Sequence, residues 1–483
     1  MLEIGPNFGC YPKPSKTWLI VKPKYLKRAK DMFPGISITD QGHKYLGSYI
    51  GSESGKAEFM KCQVDEWIRD VAALAKIAKT EPQLAYAGYV YGTSKRWSFV
   101  SRTTPNVGEH MKKLEYEIKE TLIPAIVGKN YISDDTRRIF SLPARLGGLG
   151  FLDPCSVSDL EYKSSLAATA QLTKAIFNQE SFLNIDQETQ EKIMKEVKHK
   201  KTEWYKEQQN IIKKESSASA SKILELASEK GASCWLTSLP LQKWGFLLNK
   251  QEFHDAICLR YNYAIKLAAR VCACGQPYSV NHCLTCKLGG YVILRHNSIR
   301  DLFAELLSEV CKDVITEPPL LPLTGETLPA GSNLSDGARL DISCRNLWSP
   351  LAKALIDVRI FNPQAESNWN KSVQQMYNSH EEEKKKEYGP RVLQVEKATM
   401  TAAVMSTSGG LSKECDKLVR QIAMKLSLKR GERYSDVVGF IRRRLRFDLL
   451  RTCVIALRGF KKNAAPEKIE DLEFNLRPVA ASY

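Results

Sequence analysis

Two short apolar runs, each carrying one Asp, limit what the region from Ala338 to Gly389 can become. The first reads Ala338-Arg-Leu-Asp341-Ile-Ser, and the second is the apolar run ending Ile356-Asp357-Val358-Arg359-Ile360. Leu340 and Ile342, and then Ala354, Leu355, Ile356, Val358 and Ile360, give both runs the aliphatic content of buried strands. A carboxylate on a buried strand is costly unless it is paired or binds a metal. Two on adjacent strands repel, and a divalent ion between them removes the repulsion. Carboxylates suit Mg²⁺, which keeps waters and takes up phosphate oxygens, so Asp341 and Asp357 form a candidate phosphodiester-cleaving pair. The same spacing also fits two Asp at strand ends beside turns.

Charge and cysteine usage narrow the setting. There are 71 Lys and Arg against 54 Asp and Glu, a net charge of +17, which favours a polyanionic partner, either nucleic acid or an anionic surface. The 13 Cys are odd in number and mostly scattered, which argues against a disulfide framework and for a reducing, intracellular compartment. Met1 to Lys16 lacks an apolar core of the signal-peptide kind, and no apolar run approaches the roughly 18 residues of a membrane span. A chain of 483 residues has room for two to four domains.

Four of the 13 Cys fall in one window. Cys272-Ala-Cys274, seven residues, His282, three residues and Cys286 make a CCHC pattern. Zn²⁺ takes four nitrogen or sulfur ligands in a tetrahedron, and two ligand pairs on a short loop supply them. Cys283, beside His282, is a substitute ligand, and Gly275 and Pro277 fit the turn between the pairs. A closed four-ligand site is structural. Buried free thiols with one core His are the alternative.

Before the knuckle the chain reads as mainly helical. Gly5 to Gly9 and Pro12-Lys13-Pro14 are turns, Thr17–Val21, Ile36–Thr39 and His43–Ile50 are strands, and Tyr25–Phe33 is a short helix. Lys56–Lys79 carries one stripe of Phe59, Val64, Trp67, Ile68, Val71, Leu74 and Ala75. Pro82 to Arg102 mixes Tyr86, Tyr89, Tyr91, Trp97 and Phe99 with Lys95, Arg96 and Arg102, a pattern that suits a nucleic-acid track or a packed helical region. Leu142 to Phe151 is Gly-rich but lacks the Lys and Ser/Thr of a P-loop. Asp186 to Lys230 is rich in Lys, Glu and Gln, and Ser216–Ser221 within it reads as a flexible break and domain boundary. A helix is expected from Glu252 to Ala269.

Past the Asp runs, the helix through His380, Lys384, Lys385, Lys386 and Tyr388 is followed by an expected strand, Val392–Glu396, whose Glu396 is a candidate third carboxylate. Arg295 and His296, near a helix start, are candidate nucleic-acid contacts; His296 also fits a cap on the knuckle, and a packed helix-start His is the favoured reading. Two basic helices close the region. In the second, Val438, Ile441, Leu445, Leu449, Thr452 and Ala456 form the buried stripe, and Arg442, Arg443, Arg444 and Arg446 lie largely off it, where they would hold phosphates without reading sequence.

In order and local sequence the chain resembles the C-terminal half of a LINE-type (non-LTR) retrotransposon protein. Gly9, Lys16, Thr17 and Tyr45-Leu46-Gly47 look like the last palm segments of the reverse transcriptase, and Leu142-Pro…Gly147-Gly-Leu-Gly150 like the element after its thumb. The CCHC knuckle, Arg295-His296-Asn297, Leu340-Asp341-Ile342, Ile356-Asp357-Val358, His380…Tyr388-Gly389 and Leu457-Arg458-Gly459 follow the order of elements with a restriction-like endonuclease. The family's Tyr-x-Asp-Asp hairpin is missing: Asp134-Asp135 follows Tyr131 one residue too late, and Ser133 reads as a helix cap. The resemblance therefore implies a chain that starts downstream of a polymerase centre and has no polymerase activity.

The resemblance implies a mixed α/β fold with a C-terminal PD-(D/E)xK-like core. It makes Asp341 and Asp357 the Mg²⁺ ligands. The cation two residues after the second acid is here Arg359, a poor proton acceptor, so Lys384 or Lys385, with Lys386 as a third option, takes its role. A Leu stands where the family has Pro before Asp341. Expected domains are residues 1–180 (palm end and thumb-like region), 181–230 (spacer), 231–300 (knuckle), 301–465 (nuclease) and 466–483 (tail). The expected function is nicking of target DNA, with target DNA and element RNA as partners, a nuclear location, structural Zn²⁺, catalytic Mg²⁺ and no small-molecule cofactor. The alternative is an inactive zinc-knuckle nucleic-acid-binding remnant, and a partner-binding helical protein with a fortuitous knuckle is the third.

Overall fold

The computed structural model describes residues 4–9, 11, 13, 16–179, 187–265 and 271–459. The turn residues Pro12 and Pro14, the 180/181 border, the end of the expected Glu252–Ala269 helix and the tail 466–483 lie outside them. The chain is mixed α/β and predominantly helical, and divides into two compact units: Met1–Ser141 with Phe151–Gln208, and Leu142–Gly150 with Gln209–Tyr483. Among the described residues no helix is long and apolar enough to cross a membrane.

In the first unit, β1 (Trp18–Ile20) pairs parallel with β2 (Ser37–Thr39), and β3 (Gly42–Tyr45) pairs antiparallel with β4 (Ser48–Gly51). The hairpin turns on Leu46 and Gly47, both at positive φ, as a tight two-residue turn requires. The helix Glu53–Ala78 starts at Ser52, whose hydroxyl accepts from Gly55 N. It buries Met60, Val64, Trp67, Val71, Ala75 and Ala78, a stripe close to the one expected. The mixed aromatic–basic segment is a packed region. Tyr86, Tyr89 and Trp97 are buried, with the Tyr89 ring 5.0 Å from Phe151 and Trp97 6.0 Å from Trp67, while Arg96 pairs with Glu66 and Asp70. Tyr91 and Phe99 remain exposed. Asp134 and Asp135 open the helix Asp134–Ser141, and Ser133 Oγ accepts from Thr136 N.

The second unit is built on a four-stranded mixed sheet of order β5 (Lys312–Thr316), β6 (Ile342–Arg345), β7 (Lys353–Phe361) and β8 (Thr399–Ser406). The first two pairings are antiparallel and the β7–β8 pairing is parallel. Alternation along β7 sends Ala354, Ile356 and Val358 to one face, where they meet apolar residues of the helices Tyr291–Ser308, Lys413–Arg430 and Tyr434–Arg458. Leu355 and Phe361 point to the other face, covered by the helix Val373–Gln394 through Val392, Met376 and Tyr377.

Several expected elements differ. Val392–Gln394 ends the Val373–Gln394 helix instead of forming a strand, and the next strand is β8. At the serine run the helices Gln187–Glu215 and Ala218–Ala227 are interrupted at Ser216 and Ser217, and Ser217 caps the second helix by accepting from Ala220 N, so the rest of the run is helical. The helix expected from Glu252 stops at Tyr261, where Asn262 takes a left-handed conformation. The Gly-rich corner is a structural joint. Arg260 Nη2 donates to Ala144 O at 2.8 Å and Gly148 O at 3.1 Å, and Tyr261 Oη to Gly147 O at 2.8 Å. Gly147 is at φ +87°, and a Cβ there would lie 2.4 Å from Leu224 Cδ1.

Candidate functional site

Asp357 sits in the middle of β7 on the face covered by the Val373–Gln394 helix, with Lys384 above it. Lys384 Nζ is 3.4 Å from Asp357 Oδ2, and both side chains are largely buried. The same ammonium lies 3.4 Å from Glu387 Oε2 and 5.1 Å from the centre of the Tyr388 ring. Burial pushes the Asp357 carboxyl up to about 6; Lys384 pulls it down, while Asp341 and Glu387 push it further up. Burial also acts to lower the Lys384 pKa, but Asp357 and Glu387 outweigh it and hold the ammonium above its ordinary value.

Asp341 immediately precedes β6. Its Oδ2 accepts from Val358 N at 2.6 Å, which ties it to the residue after Asp357. Its Oδ1 lies 3.3 Å from His296 Nε2, and the same nitrogen is 3.0 Å from Val358 O. The Asp341 carboxylate holds the His296 imidazole above its ordinary pKa. The structure therefore brings Asp341, Asp357 and Lys384 together, and adds His296 from the Tyr291–Ser308 helix.

Other expected site residues go elsewhere. Lys385, one position on and half-exposed, pairs with Glu414. Lys386 lays its stem beside Gly331. Glu396 is buried, accepting from Leu321 N at 2.6 Å and pairing with Lys353 Nζ at 2.6 Å, so it has a structural partner and is not a third carboxylate on the next strand. Arg295 is a correction: it is 2% exposed and donates to Leu284 O at 3.0 Å, which leaves no surface for a phosphate. Arg359 lies two residues beyond Asp357, near His380, whose ring is 4.6 Å from Phe361; burial and then Arg359 lower the His380 pKa.

The knuckle residues converge. One ligand atom from each of Cys272, Cys274, His282 and Cys286 lies within 4.8 Å of the others, a set able to hold a metal ion. Cys272 Sγ is 3.9 Å from Cys286 Sγ, and Cys274 Sγ is 3.2 Å from His282 Nε2. Burial acts to raise the Cys272 thiol, but hydrogen bonds from the Cys274 backbone and from the other three side chains bring it down to about 6, towards the thiolate a metal needs. Cys283 is not the substitute ligand, because it faces the apolar core with Val280 and Leu284. Among the described residues this is the one group of three or more Cys, His, Asp or Glu side chains that close.

The arginines of the Tyr434–Arg458 helix are half-buried and engaged. Arg442 reaches Asp416 at 2.5 Å and Arg444 reaches Glu305 at 2.8 Å. Arg446 donates to Gly409 O at 2.8 Å, and the Arg443 guanidinium lies 5.9 Å from the centre of the Phe246 ring. They are not the open phosphate-binding face the sequence suggests. Sequence reasoning missed the half-buried Glu229, which accepts from Tyr377 Oη and, at 2.7 Å, from Ser406 Oγ. No local signal marks it, because it follows a charged, solvated-looking stretch.

No protein-family model matches the chain, and no curated protein is significantly similar to it.

Proposed function

We propose that the second unit is a divalent-metal-dependent DNA endonuclease of the restriction-like, PD-(D/E)xK-like kind, in a chain derived from a LINE-type retrotransposon protein and acting on nuclear DNA. The observation that carries this is the placement of Lys384 Nζ 3.4 Å from Asp357 Oδ2, with Asp341 tied to the adjacent Val358 N. Asp341 and Asp357 would hold Mg²⁺, which supplies charge neutralisation and an acidified water. Lys384 neutralises charge developing on the phosphate and orients the attacking water. The water oxygen bonds to phosphorus and its proton passes to solvent, while the bond from phosphorus to the 3′-oxygen breaks and that oxygen takes a proton from solvent, giving a 5′-phosphate and a 3′-hydroxyl. The knuckle would bind Zn²⁺ as a structural ion, since all four of its places are filled by protein.

The test is nicking of supercoiled plasmid by the full chain in Mg²⁺ and in chelator, beside Asp357→Ala. Mg²⁺-dependent nicking that the variant loses supports the proposal; DNA binding without nicking overturns it. A specific observation favours the second reading, a binding remnant with target DNA and element RNA as partners. Both Asp341 oxygens are already met by protein groups, and among the described residues Asp341 and Asp357 do not form part of a group of three or more Cys, His, Asp or Glu side chains able to hold a metal ion.

A further inference from the structure

Cys311 and Cys344 meet across the first pairing of the four-stranded sheet. Lys312 on β5 is the register partner of Arg345 on β6, and each Cys precedes one of them. Alternation turns both Cys away from the exposed face of that rung and makes them diagonal neighbours on its inner face. The register shifts between Lys312 and Ile315, where Asp313 takes a φ of +50°, and such a bulge re-aims side chains. Cys344 is 1% exposed within the main apolar cluster, and Cys311, partly exposed, packs against the same cluster. Cys344 is also the register partner of Ala354, so the pair lies on the opposite face of the sheet from Asp357.

The two thiols are hydrogen-bonded to each other. Donation from Cys344 holds the Cys311 thiol below its ordinary pKa; burial opposes this and Lys425 assists it. The same bond, and then burial, hold the Cys344 thiol well above its ordinary value. The pair is therefore unequal. The accessible sulfur is the readier thiolate, and the enclosed one keeps its proton. Redox-sensitive cysteines combine these features: an accessible, acidified thiol beside a second, resolving Cys.

We propose that Cys311 and Cys344 are a peroxide-oxidised modification site that closes into a disulfide between β5 and β6. The Cys311 thiolate attacks one oxygen of hydrogen peroxide. The S–O bond forms, the O–O bond breaks and hydroxide leaves, so Cys311 becomes a sulfenic acid. The Cys344 sulfur then attacks the Cys311 sulfur, and the hydroxyl leaves with the Cys344 proton as water. The two thiols together lose two electrons, and the peroxide is reduced to water. Sulfurs already in hydrogen-bond contact need little movement to reach the S–S bond length of about 2.05 Å. The bond closes the chain between the two strands into a covalent loop. A single reversible pair fits a reducing compartment, where disulfides are transient and redox-sensing.

The test treats the zinc-loaded full chain with hydrogen peroxide, alkylates the remaining thiols after denaturation, and maps the peptides by mass spectrometry. The exposed Cys62 serves as the reference thiol. The expected result is a peptide pair joined through Cys311 and Cys344, two hydrogens lighter than its separate parts, formed before Cys62 is consumed and lost on treatment with a dithiol. In Cys344→Ser, a cyclic 1,3-dione probe should capture a sulfenic acid at Cys311. In Cys311→Ser, Cys344 should remain a thiol. Cys311 and Cys344 both alkylated as thiols after Cys62 has reacted would overturn the proposal. So would joining of Cys311 to any other cysteine, or oxidation of Cys344 undiminished in Cys311→Ser. The wild-type peptide map decides the pairing by itself, so the outcome does not depend on either variant folding.

Discussion

Lys384 Nζ stands 3.4 Å from Asp357 Oδ2, across the gap between the Val373–Gln394 helix and β7, while its neighbour Lys385 turns away to Glu414. Adjacent helix positions point about 100° apart, so only one of two consecutive lysines can face the sheet. If the site cleaves phosphodiesters, Lys384→Ala should lower plasmid nicking by about 100-fold or more, as loss of a preorganised charge does. Lys385→Ala removes a half-exposed ion pair worth under about 1 kcal/mol and should leave nicking within about threefold. Equal losses in the two variants would remove Lys384 from the mechanism.

The buried Asp357 gives a stability test with a definite sign. Its folded pKa, about 6, is raised above the ordinary carboxylate value of about 3.9. The folded state therefore holds the proton more tightly than the unfolded state does. The penalty of ionising the group is absent below about pH 4, grows as pH rises through the interval, and is complete above about pH 6. Two pH units correspond to about 3 kcal/mol at most. In buffer free of divalent ions, Asp357→Asn should be more stable than wild type at pH 8, with the advantage shrinking towards pH 4. Denaturant midpoints at both pH values check this, and a variant less stable at pH 8 would refute it.

Part of the site is legible in the sequence alone, and the parts that are not have specific physical reasons. Asp357 stood out because a charge inside Leu355-Ile356…Val358 has to be accounted for, and its strand and burial follow from the same apolar residues. The choice among Lys384, Lys385 and Lys386 was not readable, because it depends on helix phase against a particular strand. Val392-Leu-Gln-Val395 has strand-like composition, yet Val392 is buried against Leu355 as part of a helix: tertiary packing overrode local preference. Ser216–Ser221 looked like a linker by composition, but Ser217 is a helix cap. Arg295 looked like a surface charge and is buried against Leu284.

The knuckle is built into the second unit's core and does not stand as a separate module. Val280, Cys283 and Leu284 belong to the main apolar cluster, Tyr278 Oη donates to Leu457 O, and Asn362 Nδ2 reaches Asn281 Oδ1 at 2.5 Å. If the CCHC set holds zinc, Cys274→Ala should abolish zinc content and lower the unfolding midpoint by about 5–10 °C, because metal binding there is also folding energy. Cys283→Ala should also destabilise, through lost packing, but keep one zinc per chain. Elemental analysis beside thermal unfolding separates the two; zinc retained by Cys274→Ala would contradict the ligand set.

Glu229 anchors the loop after β8 from below. It accepts from Tyr377 Oη and Ser406 Oγ, with Arg446 nearby, and burial raises its pKa above the ordinary carboxylate value. Gly410 has no side chain where its neighbour needs room: a Cβ there would lie 1.9 Å from Glu229 Oε1. Glu229→Ala strands two buried hydroxyls, which cost about 1–3 kcal/mol apiece when left unpaired, so a loss of about 3 kcal/mol is expected. Gly410→Ala should cost a similar amount through the clash. The two losses should add only in part, because removing the Glu229 carboxylate removes the nearest atom the new Cβ would strike but leaves Tyr377 Oη 2.4 Å from it, and contacting residues couple in this way. A double-mutant cycle by denaturant unfolding measures the coupling. Additivity within about 0.5 kcal/mol would mean that the loop is held by something other than Glu229.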